Sequence, residues 1–140
     1  MPMPFNYRSA TPDYEAFLRD VINLGLLQTT NQAYQATRAV FHVFRSHVLP
    51  QVALDFAQFL PAVLRAIFVE EWDLASATTP FPDPETQLKE VMSIRPDHNV
   101  SPPSAIHDVA VALRNALKKE DYALMMKNLP ADARQFWTVD

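Results

Sequence analysis

The chain contains a single glycine, Gly25, and twelve prolines. Strand-rich folds need glycine for the positive φ angles of hairpins and for bulges. One glycine cannot serve them, so the chain is expected to be all-α. Its prolines then mark where helices begin. The first helical position tolerates proline because its missing N–H has no partner there and its fixed φ is already helical. Pro12, Pro50, Pro61, Pro84, Pro102 and Pro130 read as such starts, and Thr11, Asp83 and Ser101 read as N-caps for three of them. Thr29 and Gln32 have the spacing of a capping box. Gly25 suits the left-handed position that closes a helix.

Apolar residues between these signals recur at three- and four-residue spacing, the helical period. Phe17, Leu18, Val21, Ile22 and Leu24 form one stripe. Ala33, Ala36, Val40, Val43, Phe44 and His47 form the next. Continuing along the chain, the spacing predicts seven or eight helices. Leu74 to Asp83, rich in Ala, Ser, Thr and Pro, is the one stretch that reads as a linker.

The halves on either side of that linker match. Leu18-Arg19-Asp20-Val21 returns 70 positions on as Leu88-Lys89-Glu90-Val91. At an offset of 69, Val40 pairs with Val109, Phe44 with Leu113, Phe56 with Met125, Leu60-Pro61-Ala62 with Leu129-Pro130-Ala131, and Phe68 with Trp137. The expectation is one domain over residues 1–140 built from two helical repeats, 13–73 and 84–140. A repeat of about 60 residues has a marginal core. The two are therefore expected to share one core about a pseudo-two-fold axis.

The residues carrying this pattern are Phe17-Leu18 with Val21, Phe44-Arg45, and Leu60-Pro61 with Leu64-Arg65, echoed by Leu88, Val91, Leu113-Arg114, Leu129-Pro130 and Arg134. In them the chain resembles the bacterial domain-of-unknown-function family 2267, from Tyr14 to Trp137. The resemblance implies an all-helical bacterial domain and carries over no catalytic residues. The second copy departs from the pattern at Gln87, where an aromatic is expected, and at Ala133, which stands opposite Leu64.

Composition narrows the function classes. With net charge -4 there is no basic excess to hold nucleic acid phosphates or anionic lipid. The absence of cysteine removes thiol nucleophiles, disulfides and zinc-thiolate sites. The N-terminus lacks the pattern of a signal peptide, and no apolar run reaches the roughly 18 residues of a membrane span. A soluble cytoplasmic protein without metal or cofactor is expected. His42 and His47 stand five apart, off the three- or four-residue spacing that a helix-borne metal pair needs.

Four residues read as candidates for contact with a partner. Trp72 and Phe81 lie near helix ends, where aromatics serve either as interface anchors or as arms folded onto their own core. Arg65 and Arg134 occupy matching places in the two repeats, as a paired anion site or as partners of nearby carboxylates or helix C-termini. Glu70, Glu71 and Asp73 oppose the dipole at a helix C-terminus, which a partner cation or an Arg would relieve. Apolar content of 49% without a catalytic constellation favours a non-enzymatic interaction or scaffold module, forming a homodimer through Trp72 or Phe81. The alternative is a ligand-binding or enzymatic domain with a pocket between the repeats.

Overall fold

A computed structural model describes residues 2–139. Met1 and Asp140, the outermost residues of the expected 1–140 domain, lie outside the described residues. Nine helices and no strand occur among the described residues: α1 Phe5–Arg8, α2 Ala10–Gly25, α3 Thr30–Ser46, α4 Pro50–Ala57, α5 Ala62–Val69, α6 Pro84–Ser93, α7 Ala105–Ala116, α8 Lys119–Asn128 and α9 Ala131–Trp137.

The helix starts follow from local chemistry, with corrections. Thr29 and Gln32 form both hydrogen bonds of the capping box, and the Asp83 side chain accepts from the Thr86 N–H. Pro50 and Pro84 occupy the first turn as expected. Pro61 and Pro130 sit one residue earlier than expected, as N-caps in extended conformation. Their carbonyls accept the first bonds of α5 and α9 from the Arg65 and Arg134 N–H groups, each at 2.9 Å. Pro102 does not start α7. Pro103 follows it, and a residue before proline is driven out of the helical region, so α7 starts at Ala105 and Ser101 instead bonds Asn99. Pro12 lies inside the first turn of α2, where its N–H has no helical partner in any case. The ninth helix, α1, is one turn with no buried residue, so it leaves no apolar period in the sequence. The left-handed residue after α2 is Leu26, with φ 54°, and Gly25 remains helical.

α3 is the central helix. It buries residues around most of its circumference, including Gln35, Thr37, Arg38 and Arg45. α2 and α5 pack on it from the first half of the chain, and α6 and α7 from the second. α2 also packs on α7, and α9 packs on α7. The halves thus interlock. Phe44 of α3 sits at the junction, its ring 4.9 Å from Phe56, 5.4 Å from Phe136 and 5.2 Å from Trp137 between centroids. Residues from both halves fill one hydrophobic core.

Candidate functional site

Two polar features stand out on this frame. The first is a line of donors on α3. Arg38, His42 and Arg45 are four and three residues apart, so they share one face, and all three serve the C-terminal end of α5. Arg38 Nε lies 3.0 Å from the Glu70 carboxylate, which also accepts from the Tyr34 hydroxyl at 2.8 Å. His42 Nε2 donates to the Ile67 carbonyl at 3.0 Å. Arg45 donates to the carbonyls of Phe68 at 2.6 Å and Glu70 at 2.8 Å, with its guanidinium 5.3 Å from the Trp72 ring centroid. The last carbonyls of a helix carry partial negative charge and lack helical donors. α3 supplies those donors from the Arg45 guanidinium and the His42 ring.

Burial acts on this line. It holds the Arg45 guanidinium at a pKa of about 10, with the charge of Arg38 adding to the effect. It pushes His42 down to about 4 against the pull of its bond to Ile67, so the ring is neutral at pH 7. Glu71 is exposed and takes a left-handed backbone, as does Arg95, and the two pair at 2.9 Å. Glu70 and Glu71 at the end of α5 are thus met by Arg38 and Arg95 of the same chain.

The four candidate contact residues lie apart from one another in role. Trp72 is half-buried, edge-on to Phe68 and under Arg45, beside a cavity of about 190 Å³. Phe81 is half-buried against Phe44, Phe136 and His47. Arg65 donates to the Leu60 carbonyl at 3.2 Å, and Arg134 to the Leu129 carbonyl at 2.8 Å and the Met126 carbonyl at 2.9 Å. Each arginine reaches back to the residue before its helix's proline cap, Leu60 or Leu129, and Arg134 also reaches the last turn of α8.

The second feature is an open cleft of about 1040 Å³ between the end of the linker, α6, α7 and α9. Its apolar wall is Phe81, Leu88, Ile106 and Phe136, joined by Pro82, Pro84 and Pro103. Its polar lining includes Asp83, Glu85 and Asp132, with His107 and no Lys or Arg among the described residues. Hydrogen bonds from Thr86 hold the Asp83 carboxyl below the usual carboxylate range. Lys89, outside the lining, lies 3.6 Å from Glu85.

Gln87 lines this space. It stands opposite Phe17 in the repeat alignment. Phe17 is 2% exposed in the core, whereas Gln87 lines the cleft and turns its amide back to the Pro82 carbonyl at 2.9 Å. The sequence marks two residues of the cleft, Phe81 as a candidate contact residue and Gln87 as a departure from the repeat pattern. Asp132, Ile106 and Phe136 carry no such mark, because each is ordinary for a helix.

A family model described as an uncharacterized conserved protein (DUF2267) matches residues 14–136. The chain belongs to the DUF2267 family. Comparison with curated proteins gives no match. In this DUF2267 chain the match spans both the α3 donor line and almost the whole cleft, from Phe81 to Phe136. Among the described residues no helix is long and apolar enough to cross a membrane.

Proposed function

We propose that this chain is a non-enzymatic protein-interaction module, cytoplasmic and bacterial, whose docking surface is the cleft between α6, α7 and α9. The observation that carries the reading is the character of that cleft. It is wide and open, has an aromatic and proline-lined wall, and has carboxylates at its edge. Aromatic-lined grooves take extended, proline-containing segments, whose preformed backbone loses little entropy on binding. The carboxylates select a segment with a basic residue. The α3 donor line, in contrast, is committed to the backbone and carboxylates of α5 and serves rigidity.

The same reading treats the chain as a duplicated unit. Matched positions support it: Val40 and Val109, Phe44 and Leu113, Phe56 and Met125, and Leu64 and Ala133 are all buried. Helix starts support it, since α4 and α8 begin at Pro50 and Lys119, and α5 and α9 at Ala62 and Ala131, each 69 apart. Packing supports it too, because α2 lies on α7 as α6 lies on α3. Within this arrangement the second unit has a cleft where the first has the Phe17 ring.

The test is selection of displayed random peptides on the purified protein. Enriched sequences should combine an aromatic residue or proline with Lys or Arg. Their affinity should fall about tenfold or more in Gln87→Phe, which fills the cleft, and in Asp132→Lys, which reverses its edge. Enriched peptides that bind both variants as well as the parent, or no enrichment, would sink the reading.

A further inference from the structure

We infer that the cleft of one copy receives the Met3–Arg8 segment of a second copy, closing a reciprocal homodimer. The inference rests on the cleft being a protein-docking surface and names its occupant. The segment has what the cleft asks for. Met3, Phe5 and Tyr7 are 60%, 78% and 51% exposed, an unusual row of uncovered apolar side chains on one turn of chain. Pro4 has φ -53° and ψ 141°, near the polyproline conformation, and Phe5–Arg8 follow it as a single helical turn with Phe5 and Tyr7 exposed. Arg8 supplies the cation, and no acidic side chain pairs with it among the described residues. On the other side stand the rings of Phe81 and Phe136 and the carboxylates of Asp83 and Asp132.

Within one copy, α1 rests against α2, with the Tyr7 hydroxyl 3.5 Å from Arg65, and it buries nothing. Its aromatics are thus presented outward on the first half, while the cleft belongs to the second. Two copies related by a two-fold axis satisfy both segments and both clefts at once, and the assembly closes. Phe5 and Tyr7 of the two copies, 78% and 51% exposed, have on the order of 500 Å² left to bury out of roughly 150–250 Å² per aromatic side chain. With Met3 and the cleft walls the total passes the roughly 1,000 Å² that a specific interface requires.

Sedimentation velocity on the full chain tests this, with circular dichroism to confirm that each variant is folded. The parent should approach twice 15.9 kDa at about 50 micromolar. Phe5→Ala with Tyr7→Ala should weaken association about tenfold or more without touching the core. Gln87→Phe should do the same from the cleft side, and Asp132→Lys, a change at an exposed residue, covers the case in which Gln87→Phe does not fold. Arg8→Glu should weaken the dimer, and Arg8→Glu combined with Asp132→Lys should recover part of it. A parent that stays monomeric, or a dimer that survives either the segment or the cleft variants, overturns the inference. If display peptides still require the cleft in that event, the interaction module stands with another partner. If they do not, both fall.

Discussion

A methyl group placed on Gly25 would lie 3.1 Å from Oδ2 of Asp108 and 3.4 Å from the ring of Pro102. The one glycine of the chain is therefore held by a close approach of α2 to the start of α7. Asp108 is 3% exposed and accepts from the Ser104 hydroxyl at 2.7 Å, so it has little room to retreat.

Gly25→Ala should on that account cost about 1 kcal/mol, although alanine is intrinsically the better helix former by a similar amount. The same substitution in an Asp108→Ala background should be stabilising. Thermal melts of the four proteins give the coupling, and additive effects would show that Asp108 is not the obstacle.

Leu26 should respond in the opposite sense. It has a left-handed backbone at φ 54°, a conformation costing a side chain about 1–2 kcal/mol, and it is 88% exposed, so it recovers nothing by packing. Leu26→Gly should stabilise by about 1 kcal/mol in denaturant unfolding. A loss of stability would mean that the leucine makes a contact in solution.

Phe44→Ala should cost about 3–5 kcal/mol, because its ring meets rings from α4, α5, α9 and the linker. A change within the error of a melting curve would remove Phe44 from the core.

His42 should make the fold acid-sensitive. Its folded pKa, about 4, lies below the unfolded value near 6.5. The unfolded chain therefore takes up the proton first. The stabilisation is fully present above about pH 6.5 and is lost as the pH falls toward 4, by on the order of 2 kcal/mol. His42→Gln retains a donor for Ile67 and cannot titrate, so its stability should fall less steeply across that window. Parallel curves for the two proteins would refute the role given to His42.

What the residues declared in advance was what acts over one turn. Thr29–Gln32 and Asp83–Thr86 close bonds three residues apart, so their sequence spacing is their geometry. The stripe from Ala33 to His47 announced a buried helix. Features fixed by tertiary approach stayed hidden. Gly25 suggests a left-handed closing residue in sequence, whereas its need for space comes from Asp108, far along the chain. The acidic end of α5 calls for a cation in the sequence, but that Arg38 answers Glu70 and Arg45 the last carbonyls joins residues more than twenty apart, and no local period names them. The cleft left two traces, the linker aromatic Phe81 and the glutamine opposite Phe17.

The crossing of α2 onto α7 and of α6 onto α3 has a consequence during synthesis. α2 is complete at Gly25, but the helix it lies on ends at Ala116, roughly 90 residues later. At about 5–20 residues per second, α2 waits on the order of 5–20 seconds for that partner. For that interval α2 can pack only on α3 and α5 of its own half, and the face that meets α7 stays uncovered until the second half is made.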